Sequence, residues 1–260
     1  MKQNKFSIIT PSYNHGEFIE ETILSVLNQN YSAFEHIVMD GGSTDNTKDI
    51  LLKYPHLIWS SGKDRGQGHA INKGFARAEG DIIAWLNSDD YYGPNVFNLV
   101  NQFFNEHPGV YCVYGDISYV SSDGGFLKLI KGENVNYRSI ICRPDLVRQP
   151  ATFWRREVIN SIGSLDESLH LVMDLDFFLR MFKKYPPGYL EANLAFFRFY
   201  AENKTLSSFR RQVKEMREVV HRYERPAPIS FYKFLFGRYL DSLPQEHLLS
   251  RIFTPLRKKP

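Results

Sequence analysis

Gly80–Asp90 reads GDIIAWLNSDD. Asp81–Leu86 is a short, strongly apolar run that breaks abruptly into Asn87-Ser88-Asp89-Asp90. An apolar run of this length between turn formers reads as a buried strand, and Glu79-Gly80 before it reads as the stop of a helix. The same unit recurs upstream. Phe6–Thr10 (FSIIT, ended by Pro11), His36–Asp40 (HIVMD) and Leu57–Ser60 (LIWS) are three more strands. Between them, Phe18, Ile19, Thr22, Ile23, Val26 and Leu27 fall on one face of a helix. Ser43, Thr44 and Asp45 offer N-cap chemistry for a helix through Leu52, and a third helix is expected over about Gly68–Ala78. Downstream, Pro94 opens a helix through about Glu106, and Val110–Tyr114 is a fifth strand.

Strand and helix alternating over more than a hundred residues predict an α/β fold: a mostly parallel sheet with helices on both faces. The pattern then changes. Ile117–Val120 and Phe126–Ile130 flank Ser121–Gly125 as a hairpin. Helices follow near Arg155–Ile162 and Asp174–Tyr185, with short strands around Tyr189–Tyr200 between them and a helical, basic C-terminal stretch. The division expected is residues 1–115, 116–204 and 205–260.

Of 260 residues, 43% are hydrophobic and 23% charged, which is the composition of a globular domain with a sizeable core. The net charge of +3 is too small for a dedicated nucleic-acid binder, so no nucleic-acid partner is expected. Basic residues gather late: Arg210, Arg211, Lys214, Arg217, Arg222, Arg225, Arg257, Lys258 and Lys259. They read either as solvated helix faces or as attraction to an anionic membrane. The segment Ile229–Leu240 (ISFYKFLFGRYL) is aromatic and basic, and reads as a packed amphipathic helix or as a peripheral membrane contact. Cys112 and Cys142 make neither a disulfide framework nor a metal-ligand spacing. With no signal peptide and no apolar run of spanning length, a cytoplasmic protein is expected.

In open α/β sheets, ligands bind beyond the carboxyl ends of the strands. Four such ends here carry Pro11-Ser12-Tyr13-Asn14, then Asp40-Gly41-Gly42-Ser43-Thr44-Asp45, then Asp64-Arg65-Gly66-Gln67-Gly68, then Asn87-Ser88-Asp89-Asp90. One polar loop says little; four at one sheet edge define a cleft. The adjacent carboxylates Asp89 and Asp90 repel, and a divalent cation offsets that charge. Mg2+ or Mn2+ is held by one or two carboxylates together with substrate phosphates. For the dipeptide alone, an Asx turn or N-cap is the competing explanation. His15, His69 and His170 read as scattered polar residues, and Arg65 and Lys73 as exposed charge, with His69, Arg65 and Lys73 also within plausible reach of a phosphate.

SIITPSYNHGEFIEETILSVLNQNY (Ser7–Tyr31), VMDGGSTDNT (Val38–Thr47), DRGQGHAINKG (Asp64–Gly74) and GDIIAWLNSDD resemble, in order and spacing, the nucleotide-sugar half of the family 2 glycosyltransferases. The resemblance extends over roughly residues 6–200. It implies the GT-A fold, a Rossmann-like sheet with a small acceptor-side subdomain and a helical C-terminus. It also implies an inverting transfer of sugar from a nucleotide-diphosphate sugar, UDP-sugars first, to the hydroxyl of a glycan or lipid-linked acceptor, in surface polysaccharide, lipopolysaccharide or glycolipid synthesis.

By position, the resemblance puts Tyr13 against the donor base and Asp40 near base and ribose. Pro11, Ser12, Asn14, Gly42, Ser43, Asp64, Gln67, Asn72, Asn87 and Ser88 complete the donor pocket. Asp89 matches the last acid of the family's Asp-x-Asp and, with Asp90, is the expected holder of Mn2+ or Mg2+. There are departures: Asn87 replaces the first acid of that motif, and Gly41 replaces the second Asp of the common Asp-Asp-Gly-Ser. On the acceptor side, Gln149–Arg156 (QPATFWRR) looks like a recurrent family segment, with Gln149 and Thr152 facing the acceptor. Asp174-Leu175-Asp176-Phe177 stands where the family has Glu-Asp-Tyr, and Met173 replaces the Glu. Asp174 aligns with the acid assigned as base; Asp176 is its rival, and a helix cap is the alternative for Asp174.

Two other functions fit parts of the pattern. A sugar nucleotidyltransferase would carry a Gly-rich basic loop after the first strand, and Pro11–Asn14 is not one. A non-catalytic nucleotide-sugar-binding module would lack the acceptor-side acid, which Asp174 supplies.

Overall fold

The computed structural model describes residues 2–200 and 208–241; Arg257, Lys258 and Lys259 lie outside them. The first half is built as expected. Strands β1 (Phe6–Ser12), β2 (Phe34–Asp40), β3 (Leu57–Ser61) and β4 (Ile82–Trp85) are parallel neighbours in the order β3-β2-β1-β4. Helices α1 (Ile19–Leu27), α2 (Thr47–Leu51) and α3 (Gln67–Phe75) connect them. The chain steps outward from β1 to β3 and returns to β4 on the other side of β1, so the order reverses there. That switch point opens a crevice at the carboxyl ends of β1 and β4.

Alternation along the strands separates two cores. Ile9, Ile83, Trp85 and Trp154 face one way, with Phe75 and Phe177. Ile8, Ile82, Ala84 and Phe153 face the other, with Phe6, Phe97 and Phe104. Helix α3 lies directly on β1: a Cβ at Gly74 would come within 2.4 Å of the Ile9 side chain, so glycine sets the closeness of that contact.

The second half is mixed. Beyond β4 come antiparallel β8 (Thr152–Arg155), then β6 (Cys112–Val120), β9 (Gly188–Arg198) and β5 (Tyr91–Tyr92), with β7 (Phe126–Ile130) on β6. Helices α4 (Val96–Glu106), α5 (Tyr137–Cys142), α6 (Glu157–Ile162) and α7 (Met173–Lys184) surround it, followed by α8 (Phe209–Tyr223) and α9 (Ile229–Asp241). The expected fifth strand and the first hairpin strand are one strand, β6. Its register slips at Gly115-Asp116. A Cβ on Gly115 would meet Leu194 at 2.6 Å, so the glycine admits β9 and does not end the strand. The short strands around Tyr189–Tyr200 are likewise a single strand. The helix after Pro94 starts later, because Asn95 adopts φ 60°. At the start of helix α2 the N-cap position is Asn46, and of the three candidates Asp45 accepts from Thr47 N–H at 3.1 Å and also from Gly16 N–H at 2.9 Å.

His36 is wholly buried in β2, with Nε2 2.9 Å from Thr10 Oγ1. Burial, aided by nearby His56, lowers its pKa to about 3. The fold therefore holds it neutral, while the unfolded chain protonates near pH 6.5. Its contribution is fully present above that pH and is lost as pH falls toward 3. Denaturant melts should show stability dropping by about 1.4 kcal/mol per pH unit from this group below pH 6. His36→Gln should remove that component of the slope; an unchanged slope would assign the acid sensitivity elsewhere.

Candidate active site

The four strand-end loops are tied into one wall. Gly41 N–H donates to Ser12 C=O at 2.8 Å. Asn14 N–H donates to Ser43 Oγ at 2.8 Å, and Thr44 N–H donates to Asn14 Oδ1 at 2.8 Å. Asn14 reaches both because it adopts φ 53°, which Asn tolerates. Gly62 N–H donates to Asp40 C=O at 3.0 Å. His15 Nδ1 lies 2.6 Å from Ser88 Oγ, and Gln67 Nε2 donates to Asn87 Oδ1 at 2.9 Å.

Within this wall the donor-side residues divide. Tyr13 is 59% exposed and presents its ring to solvent. Pro11 and Ser12 end β1 in buried backbone, and the Ser12 hydroxyl is buried with no hydrogen-bond partner among the described residues. That is an unmet polar group at the cleft. Asp40 is buried: its carboxylate accepts from Gly42 N–H at 3.2 Å, Ser43 N–H at 3.0 Å, and the hydroxyls of Ser43 and Ser61. It shapes the Gly42-Ser43 loop. Asp64 accepts from Gly66 N–H at 2.8 Å, and its other oxygen lies beside Gly41. A Cβ on Gly41 would stand 2.8 Å from that oxygen and 3.3 Å from the Tyr13 ring. Glycine stands where the family has an acid because Asp64 and Tyr13 fill the space.

Asn72 is engaged with a loop far along the chain. Its amide donates to Leu165 C=O at 3.0 Å and Glu167 at 3.1 Å, and its Oδ1 accepts from Leu165 N–H at 2.9 Å. These three hydrogen bonds pin the 165–167 loop, where Arg65 also pairs with Glu167 at 2.6 Å.

Asp89 and Asp90 diverge. Asp90 is fully buried and accepts from Arg198 N–H at 3.1 Å and from Asn87 Nδ2 at 3.3 Å. Burial, with the Asp89 charge next, pushes its carboxyl well above the usual range. It therefore supports the loop from beneath and is not placed as a cleft-facing metal ligand. Asp89 is half-buried, and Tyr200 O–H donates to its Oδ2 at 2.8 Å. The Arg198 guanidinium, itself buried, donates to Asp89 C=O at 3.1 Å and Ser122 C=O at 2.6 Å, pairs with Glu21, and lies over the Phe18 ring at 4.9 Å. Asn87 is not free to act as a second acid: it binds Gln67, Asp90 and, at 3.3 Å, Gln149 Oε1. Among the described residues no group of three or more His, Cys, Asp or Glu side chains converges on a metal position. A lone hard carboxylate oxygen donor fits Mn2+ or Mg2+ bound jointly with a diphosphate, and does not fit an all-protein cage.

On the acceptor side, Gln149 is buried and bridges Asn87 to Trp85 C=O. Thr152 is fully buried in β8 and donates to Arg148 C=O at 2.8 Å. Asp176 is engaged within the helical layer. It accepts from Arg180 Nε at 3.0 Å and Tyr223 O–H at 2.7 Å, which locks α7 to α8. Asp174 differs from both. Helix α7 starts at Met173 with Val172 at its N-cap, so Asp174 is not the cap; its carboxylate accepts from the adjacent Leu175 N–H at 2.9 Å and from its own N–H. Burial raises its pKa, against that hydrogen bond and the charge of Arg148. Its neighbours lie near the strand-end loops: Met173 Sδ would stand 3.6 Å from a Cβ on Gly68, next to Gln67, and Arg148, whose charge acts on Asp174, precedes Gln149.

Arg198 and Tyr200 were not legible as site residues. Nothing local marks them; only the return of β9 alongside β5 and β6 carries them under the Asp89 loop.

Residues 7–163 match the profile of glycosyl transferase family 2. The PGL/p-HBAD biosynthesis glycosyltransferase of Mycobacterium bovis is 31% identical over 186 residues, 68% of this chain and 69% of that protein. The putative teichuronic acid biosynthesis glycosyltransferase TuaG of Bacillus subtilis is 36% identical over 124 residues, 45% of this chain and 48% of that protein. The matched region spans only 34% of an uncharacterized glycosyltransferase of Rickettsia conorii that is 30% identical. Among solved structures, S. aureus TarS in complex with UDP-GlcNAc superposes with a TM-score of 0.67 at 23% identity, covering 83% of this chain and 65% of that one. The mannosyltransferase PcManGT from Pyrobaculum calidifontis, in complex with GDP-Man and Mn2+, superposes at 0.63 and 18% identity, covering 92% and 70%. The fold is GT-A, and with its profile match covering more than half its length, the chain belongs to glycosyl transferase family 2.

Proposed function

We propose that this chain transfers a sugar, with inversion, from a nucleotide-diphosphate sugar to an acceptor hydroxyl, with Mn2+ or Mg2+ held at Asp89. UDP-sugars are the first candidate donors. The carrying observation is the hydrogen-bonded wall of four loops, with an exposed ring, Tyr13, at one end and a half-buried carboxylate, Asp89, at the other. Residues 1–115 form the donor half and 116–204 the acceptor half of one catalytic unit. The relatives' roles in PGL/p-HBAD and teichuronic acid synthesis support a glycan or lipid-linked acceptor in surface-polymer assembly.

In this reading, Tyr13 flanks the base, and the Ser12 hydroxyl gains the partner it lacks. The Asp40-ordered loop shapes the ribose side of the pocket. Asp89 would hold the cation, which would supply Lewis-acid charge to the diphosphate leaving group. Asp174 takes the proton of the attacking hydroxyl. Gln67, Asn87 and Gln149 form a neutral amide chain that fixes the loop between donor and acceptor sides, and so the line of attack.

Thermal melts with UDP, GDP, CDP and dTDP, each with and without Mn2+, test this. One nucleotide at about a hundred times its Kd should stabilise the fold by about 2.7 kcal/mol, roughly 5–10 °C for a chain of this size, and only with Mn2+. Asp89→Ala should abolish the Mn2+ dependence. Were no nucleotide to shift the melt, the donor site as drawn would be wrong.

A further inference from the structure

Helix α9 is apolar on both sides. Phe231 is fully buried, and Phe234 and Leu235 pack against the core. On the other side, Ile229 is 76% exposed, Tyr232 42% and Phe236 62%. Spaced i, i+3 and i+7, these three form one stripe, with Lys233 exposed next to it. Isolated surface apolar residues are ordinary, but a contiguous ridge on a helix whose other face already fills the core is an interaction surface.

A second ridge adjoins it. On α8, Arg210, Lys214, Arg217 and His221 recur at i, i+4, i+7 and i+11, and so share a face. His221 Nε2 lies 3.0 Å from Tyr232 Oη, which joins the two ridges side by side. Arg210, Arg217 and Lys233 have no acidic partner among the described residues, while Lys214 lies 3.9 Å from Glu218. Residues 208–260 carry twelve Arg and Lys against five Asp and Glu, in a chain whose net charge is only +3. The rest of the sequence is therefore net acidic, and within the described residues 208–241 eight Arg and Lys stand against four Asp and Glu.

We infer that the α8–α9 face docks on an anionic lipid bilayer, with Ile229, Tyr232 and Phe236 entering the headgroup–acyl boundary and the α8 cations meeting lipid phosphates. The pairing of an apolar ridge with an unneutralised basic one matches a lipid surface on both counts. A second copy of this chain would bring like charge against like.

Flotation of the full chain with vesicles of phosphatidylcholine alone, or mixed with phosphatidylglycerol, tests this without any sugar-transfer readout. The expected result is flotation with the mixed vesicles only, weakened by salt. Ile229→Ser with Phe236→Ser should reduce partitioning about tenfold or more, and Arg210→Glu with Arg217→Glu by a similar factor. These four side chains are exposed or lie on the solvent face, so the melts of both variants should match the wild type. Absence of flotation with the mixed vesicles would overturn the inference. So would flotation unaffected by either pair of changes, or a wild-type dimer that the Ile229/Phe236 pair converts to a monomer without any vesicle binding.

Discussion

Asp174→Asn is expected to lower turnover by about 10²- to 10⁴-fold, the usual contribution of a positioned general base, and to leave Mn2+-dependent nucleotide stabilisation unchanged. The amide keeps the shape and loses the proton acceptor. The structure makes this substitution clean. The Asp174 carboxylate accepts only local backbone N–H groups, its own and that of Leu175, among the described residues, so little packing depends on its charge. Because burial raises its pKa, the acid limb of the kcat/KM profile should lie above the ordinary Asp value of about 3.9. Activity needs the carboxylate and is lost as pH falls through that limb. Asp176→Asn provides the contrast. It removes the charge paired with Arg180 and leaves one oxygen where two accepted from Arg180 and Tyr223, so it should lower the melting temperature while the folded fraction turns over nearly as the wild type does. A reversed outcome, with Asp176→Asn inactive at full stability and Asp174→Asn active, would reassign the base.

The donor half was legible because its physics is local. Each strand is a short apolar run, each loop follows at once, and the parallel order follows from the alternation, so the mostly parallel α/β sheet and its polar edge could be read from Phe6 to Asp90, with GT-A added by the family resemblance. Which side chains in those loops face the cleft was not legible, because that depends on partners far along the chain. Asn72 has a polar amide in a family motif, yet Leu165 and Glu167 occupy it. Asp89 and Asp90 are adjacent and identical in type, and β9 alone separates them by burying one beneath the Arg198 backbone. Thr152 looks available until its strand is seen in mid-sheet between β4 and β6. Gly115-Asp116 looks like a turn, and whether it is one depends on Leu194. Asp174 and Asp176 sit in one helical turn and point to different neighbours, a distinction of about 160° around the helix from the fixed pitch. The surroundings of these residues are set by long-range pairing.

Arg198 shows how strongly the site depends on that pairing. Arg198→Met should cost about 3–5 kcal/mol, the range for breaking a buried charged contact, and lower the melting temperature by roughly 10 °C. The guanidinium donates to the carbonyls of Asp89 and Ser122 and packs over Phe18 and, at 5.5 Å, Tyr91. Methionine fills much of the volume but leaves those carbonyls without their donor. Glu21 is half exposed, so losing its pair adds little. The functional consequence follows from the same atoms. Arg198 Nε holds the Asp89 backbone, and its own N–H holds Asp90; only the second survives the substitution. Below its melting temperature, Arg198→Met should therefore need more Mn2+ to reach the same nucleotide-dependent stabilisation, although Asp89 itself is unchanged. Arg198→Lys should fall between, since it keeps the charge and loses the planar fork. A full Mn2+ response in Arg198→Met at reduced stability would mean that the Thr22 hydroxyl, which donates to Ser88 C=O at 3.0 Å and Asp90 C=O at 2.7 Å, suffices to set the loop, and that Arg198 serves the fold alone.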